Sequence, residues 1–272
     1  MNESTLFLIS FILYFFSAFF YFAFLFSKSK KFAKQGYWIA AIGLVIHTLA
    51  LVLRIFESGH APFTNMYESL SFLSWSAVFA YVFVEAKFKL RRAGPYYMLI
   101  VIALMALASS PLMPKEATPL VPALQSLWLW LHVSITLIGE AFFCIAFVTS
   151  IMYLKAISKE KRGIDLEPGL TSEKLDSISY RVIAIGFPLF TLGGLVFGMV
   201  WAYKAWGSYW SWDPKEVWTL ITWFIFALYL HTRLVMGWKG KKSAIVAIIG
   251  FLAALFTYFG VNYLLVGLHS YT

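Results

Sequence analysis

Sulfur chemistry is nearly missing from this chain. Cys144 is the single cysteine among 272 residues, which excludes an internal disulfide, a CxxC redox pair and a cysteine-built metal site. Charge is scarce too. Asp, Glu, Lys and Arg make up 13% of the residues, about half the share found in a soluble domain. Repeats, low-complexity tracts and any soluble domain are also lacking, so residues 1–272 read as one membrane domain whose function lies in its loops and bundle interior. In place of these features the chain is 61% hydrophobic, with long apolar runs recurring along its length. The expected class is all-α, a polytopic membrane helical bundle.

Eight spans are expected, at 5–26, 37–56, 67–85, 95–112, 128–154, 182–203, 217–236 and 244–266. The first begins almost at the N-terminus, without a basic n-region or a small-residue cleavage site, and reads as a retained helix. The breaks between spans alternate in character. One set of breaks and helix ends (28–34, 87–92, 155–181, 233–242) holds eighteen of the 22 Lys and Arg residues. The other holds only Arg54, Lys115, Lys204 and Lys215. The positive-inside rule then puts both termini outside and makes the polar loop of about 155–181, broken by Gly163, Pro168 and Gly169, cytoplasmic. The net charge of +9 follows from those basic loops and needs no nucleic-acid partner.

The tryptophans are unevenly placed. Of eleven in the chain, six (Trp201, Trp206, Trp210, Trp212, Trp218 and Trp223) fall within 201–223, between spans six and seven on the outer side. Asp213, Pro214 and Glu216 have the spacing of an N-cap, a first helical residue and the third member of a capping box. Two readings of the indoles are open. They are an interfacial aromatic belt, or, with Gly207, Ser208 and Ser211 leaving open surface, a platform for a large flat ligand with a polar edge.

Histidines inside a bilayer are costly and usually face a cavity or a bonded partner. His132 lies one turn inside the outer end of span five, and His269 just beyond the outer end of span eight. Two imidazoles across an aromatic shelf would make a bis-histidine haem site; two unrelated interfacial histidines are the alternative. Zinc is a weaker reading, because no cysteine or acidic ligand is spaced to complete a tetrahedron. His231 sits thirteen residues after Trp218, about 20 Å into the membrane, and His47 about 15 Å from the opposite face. An in-chain pair and a lone His47 bonded to a neighbouring hydroxyl or carbonyl are both open. His60 is expected to be solvated in a short outer loop. Arg54 could pair Glu57 or a ligand carboxylate, and Arg54, Lys204 and Lys215 are candidates for holding haem propionates, or for simple snorkelling. In "GHAPFTNMYESLSFLSW" (59–75), capping explains Asn65, Glu68 and Ser69 as well as function does.

The run "WGSYWSWDPKEVWTLITWFIFALYLHTR" (206–233) resembles the WWD signature of haem-handling membrane proteins. With "GHAPFTNMYESLSFLSW", "VPALQSLWLWLHVSIT" (121–136) and "GVNYLLVGLHSY" (260–271), the resemblance narrows to the CcsA (ResC) family of System II cytochrome c biogenesis, over nearly the whole chain. It implies a subunit of a CcsBA-type holocytochrome c synthase (haem lyase). Such a subunit conducts haem b to the extracytoplasmic side and presents it, reduced, for thioether attachment to CxxCH of apocytochrome c. It implies a CcsB (ResB) partner on a separate polypeptide. By family pattern, His132 and His269 are axial ligands of an outer haem resting on the WWD segment of about 201–223, with Trp206, Gly207, Trp210, Trp212, Asp213 and Trp218 at the binding surface. His231 ligates a haem within the membrane, opposite a ligand from CcsB. The family points to a bacterial inner membrane, with a thylakoid membrane as the alternative. A CcmC-like haem delivery protein and a quinol-linked b-type cytochrome are the competing functions.

Overall fold

A computed structural model of the chain describes residues 2–116, 124–164 and 170–265. All eight expected spans are helices long and apolar enough to cross a membrane, and the protein is an integral multi-pass membrane protein. The chain divides into two compact units, Met1–Gln125 and Ser126–Thr272.

The first unit contains α1 (Glu3–Ser27), α2 (Lys30–Ser58), α3 (Met66–Phe88) and α4 (Gly94–Ser109). Leu8, Phe15 and Phe19 on α1 are exposed, as a lipid-facing surface requires, while Tyr14, Tyr21, Tyr81 and Tyr97 are fully buried. Buried hydroxyls need partners where water is excluded. Tyr14 meets His47 Nδ1 at 3.3 Å, and His47 Nε2 meets Ser71 Oγ at 3.0 Å. Both ring nitrogens of His47 are thus engaged inside this unit and the side chain is wholly buried. Of the readings open for His47, the structure shows the one in which it is bonded to neighbouring hydroxyls.

Two more expectations are corrected here. His60 is buried, not solvated, with Nδ1 2.9 Å from the Ala61 carbonyl. Arg54 pairs with Glu68, not Glu57: its Nε donates to Glu68 Oε1 at 2.8 Å, and its terminal nitrogen donates to the Lys115 carbonyl. Thr64 donates to the other oxygen of Glu68 through both its N–H and its hydroxyl. Asn65 caps α3 by accepting from the Glu68 N–H at 2.9 Å. Arg54 and Glu68 therefore close a loop onto two helix ends, which accounts for both without a ligand.

The second unit contains α5 (Leu127–Glu160), α6 (Ser172–Phe190), a π-helical segment Thr191–Phe197, α7 (Gly198–Trp206), α8 (Pro214–Leu234), α9 (Lys241–Leu255), a second π-helical segment Phe256–Gly260 and α10 (Val261–Leu264). α5 and α6 pack backbone to backbone. A Cβ at Gly139 would lie 2.8 Å from the Phe190 nitrogen, and one at Gly186 2.9 Å from the Gly139 carbonyl oxygen. Small residues allow this approach where no hydrophobic force drives helices together. Phe143 of α5 stacks on Phe226 of α8, 3.6 Å between centroids and 15° between planes. Arg233, near the end of α8, grips Asp176 of α6 through two bonds of 2.8 and 2.7 Å. These contacts fix α5, α6 and α8 together and carry the aromatic loop 207–213 between α7 and α8.

Candidate haem-handling site

The sixth span, Ser172–Trp206, is continuous but not α-helical throughout. Pro188 removes a backbone donor from the last turn of α6, and directly after Phe190 the segment Thr191–Phe197 is wound as a π-helix around the pair Gly193–Gly194. The Gly193 carbonyl accepts the Gly198 N–H across the wide turn. It also lies 2.8 Å from His132 Nδ1. A carbonyl can only accept, so this nitrogen carries the proton and the lone pair of the neutral imidazole resides on Nε2. That is the tautomer an axial metal ligand needs, with its second nitrogen oriented by a carbonyl.

The imidazole is also held by shape. Gly198 leaves room for it: a Cβ there would come within 3.0 Å of Nδ1. The indole of Trp201 lies parallel to the ring, 7° between planes and 5.9 Å between centroids. Trp201 is buried, 4% exposed, and meets Trp206 edge to face at 6.1 Å. Outward from there the surface opens. Trp206 is 40% exposed and Trp212 71%. Trp210 and Trp212 are mutually perpendicular at 5.8 Å, and Tyr203 stacks on Tyr209 at 4.4 Å. The progression runs from a carbonyl-oriented imidazole, through a buried indole, to exposed indoles.

Local sequence dictates the loop. Gly207 ends α7 at φ +78°, a left-handed conformation that glycine adopts without penalty, and a Cβ there would meet nothing. Trp212 takes φ +60°, which costs a bulky residue energy and turns its ring outward at the start of α8. The capping box expected from Asp213 and Glu216 is present. Asp213 accepts from the Lys215 N–H at 3.0 Å, and Glu216 accepts from the N–H groups of Asp213 at 3.3 Å and Ser211 at 2.8 Å. Asp213 is buried. Asp213→Ala is expected to cost about 1 kcal/mol of stability, read as a lowered midpoint in thermal unfolding of the purified protein, with the backbone of the loop otherwise retained.

Not every tryptophan belongs to the open surface. Trp218 packs on Phe256 of the second π-helical segment at 4.3 Å, and Trp223 donates its indole N–H to Thr191 at 2.9 Å, in the first. Lys215 turns into the unit and donates to Asn262 Oδ1 at 3.1 Å; it ties the start of α8 to α10 instead of reaching outward for a carboxylate. His231 sits near the far end of α8, exposed on a stripe with Ile221, Phe224 and Leu228. The helix periodicity of these four puts them on one outer face. His269 lies outside the described residues.

Sequence reasoning missed Gly193 and Gly198, which position the imidazole. Their trace in the sequence is a proline followed by a glycine pair inside an apolar span, a combination that weakens a helix.

Residues 63–269 match the family described as Cytochrome C assembly protein. The chain is 47% identical over 229 residues to the "Cytochrome c biogenesis protein CcsA" of Chlamydomonas reinhardtii, covering 82% of this chain and 64% of that protein. It is 38% identical over 290 residues to the protein of the same description from Gloeobacter violaceus, covering 87% and 86%. Its fold is similar to that of "Cytochrome c Heme Lyase CcmF", with a TM-score of 0.60 at 15% identity, over 95% of this chain and 47% of that one. With most of its length inside the family match and extensive identity to relatives of both plastid-bearing and bacterial organisms, this chain belongs to the cytochrome c assembly protein family, among its CcsA-type cytochrome c biogenesis proteins.

Proposed function

We propose that this chain is the haem-presenting membrane subunit of a cytochrome c synthase. It binds haem b at the tryptophan loop and offers it, reduced, to the CxxCH motif of apocytochrome c. Haem is the substrate here, and each thioether forms by addition of a cysteine S–H across a vinyl double bond, with no leaving group. The observation that carries this reading is the oriented imidazole of His132: Nδ1 bonded to the Gly193 carbonyl at 2.8 Å, the ring parallel to Trp201, and exposed indoles of Trp206 and Trp212 beyond it.

The chain's own part is binding and orientation. The Gly193 carbonyl holds the proton on Nδ1 and so keeps Nε2 in the unprotonated form that ligates a metal. The aromatic shelf supplies flat apolar area without rotamer-rich side chains. Trp206, Gly207, Trp210, Trp212, Asp213 and Trp218 form or support that shelf, and His269 is the second axial ligand. The reacting thiols belong to the substrate, which fits a chain whose one cysteine, Cys144, is buried in α5.

His231 ligates a second haem within the membrane. Its position on an exposed apolar stripe of α8 suits a site completed by another polypeptide, a CcsB (ResB)-type partner. The engagement of both His47 nitrogens inside the first unit argues against a quinol cytochrome built on an in-chain His47–His231 pair. The basic loops face the cytoplasm and both termini lie outside, in a bacterial inner membrane or its thylakoid counterpart.

The test is the absorption spectrum and reporter output of the complex co-purified with its CcsB-type partner. His231→Ala is expected to deplete haem from the complex while His132 and the loop stay intact. His269→Ala is expected to remove the outer haem and abolish covalent haem on a co-expressed c-type cytochrome. Full haem content in both variants would overturn the ligand assignments. A haem-loaded complex that leaves the reporter apocytochrome without covalent haem would favour a delivery protein over a synthase.

A further inference from the structure

A second candidate binding site lies in the first unit, away from the tryptophans. A cavity of about 230 Å³ opens between the start of α2 and the end of α3, lined by Lys34, Tyr37, Trp38, Glu85, Lys89 and Arg91, with Ala86. Its walls combine three cations with two aromatic rings. Tyr37 and Trp38 meet edge to face at 5.4 Å, and Trp38 is exposed on the helix surface. At the buried end, Glu85 accepts from the Tyr21 hydroxyl, and Arg91 stands 4.0 Å from its other oxygen. Among the described residues, no ion pair holds Lys34 or Lys89, so the cavity keeps an excess of two positive charges over the single carboxylate.

We infer that this cavity binds the phosphate headgroup of an acidic phospholipid. Three features converge on that ligand. The volume is below the roughly 300–1,000 Å³ of pockets that enclose drug-sized ligands, so it takes a headgroup and not a macrocycle. Lys34, Lys89 and Arg91 supply point charges and a guanidinium fork for a phosphate. Trp38 stands at the end of a membrane span, where an indole sits at headgroup level and the acyl chains of a bound lipid lie alongside the helix. In the orientation proposed above, the mouth faces the cytoplasmic leaflet, whose acidic lipids attract basic segments. The inference stands on the cavity and is independent of haem.

Native mass spectrometry of the full-length protein tests it, after release from nanodiscs of equimolar phosphatidylglycerol and phosphatidylcholine. The wild type is expected to retain phosphatidylglycerol in preference to phosphatidylcholine. The double variant Lys34→Gln, Lys89→Asn should weaken that retention by on the order of five-fold for each cation removed; asparagine suits the left-handed backbone of Lys89 (φ +55°). Arg91→Gln, which leaves both lysines in place, should show a loss of the same kind. Lys30→Gln, Lys31→Gln removes the same charge at the same helix end but outside the cavity, and should leave retention unchanged. Equal retention of the two lipids by the wild type would overturn the inference, as would an equal loss in the Lys30, Lys31 control. Displacement of the lipid by an equal concentration of glycerol 3-phosphate would also overturn it, because the ligand would then be a soluble phosphate.

Discussion

His132→Ala is expected to empty the outer haem site and stop maturation of c-type cytochromes. The side chain is positioned by the Gly193 carbonyl, the Trp201 indole and the room left by Gly198, so its removal takes away an oriented ligand. Loss of an outer-shell partner of a metal-bound histidine costs about 10–100-fold in affinity; loss of the ligand itself should cost more. The expected result is disappearance of the corresponding Soret absorbance and of covalent haem on a reporter cytochrome. Added imidazole should restore part of the absorbance, because the alanine leaves a ring-sized gap beside Trp201. A variant with normal Soret intensity and normal reporter maturation would remove His132 from the site.

The second large effect is expected at a residue with no side chain to offer a ligand. Gly193→Ala would place a Cβ 2.4 Å from the Thr136 nitrogen and 2.8 Å from the Ile135 carbonyl carbon. Both atoms are α5 backbone, one turn along from His132, and neither can rotate away. Overpacking of a core costs typically about 1–3 kcal/mol, and a backbone-on-backbone clash belongs at the upper end. The π-helical segment must shift, which moves the carbonyl that orients the imidazole. Thermal unfolding should show the loss of stability, and haem affinity should fall by about 10–100-fold even where the protein still folds. Gly194→Ala is the matched control. Its Cβ would lie 3.3 Å from a methyl group of Thr219, a side-chain contact that a small adjustment relieves, so both readouts should stay near wild type. Similar losses in the two variants would mean that the glycine pair serves the helix generally and not the imidazole.

Much of this architecture could be read from the residues in order. The eight spans follow from apolar run length, because a helix that satisfies its own backbone is the structure open to a lipid-facing segment. The start of α8 follows from Asp213, Pro214 and Glu216, because capping is a contact among near neighbours in the chain. The WWD segment and His132 could be singled out by residue type and spacing, and the family match agrees with the resemblance those motifs carried.

Where the sequence misled, the missing information was a contact with a distant residue. His60 looked solvated because its neighbours are loop-forming, yet it is buried. Arg54 had Glu57 three positions away on its own helix, but Glu68 at the start of α3 takes it. Lys215 flanks the exposed indoles in sequence and turns inward to Asn262. Trp218 and Trp223 count equally with Trp206 and Trp212 in the sequence, but two of these four pack on or bond to the π-helical segments while the other two are exposed.

Composition and local pattern thus determined on their own that this is a multi-pass helical membrane protein, how many spans it has, and which segment carries the aromatic loop. Those properties depend on each residue's transfer to lipid and on bonds to neighbours a few positions away. Tertiary structure alone decided which nitrogen of His132 carries the proton, which indoles stay open, and that a glycine 61 positions along the chain orients the imidazole. A tautomer is set by whatever acceptor packing brings within hydrogen-bond reach, and the order of residues does not contain that distance.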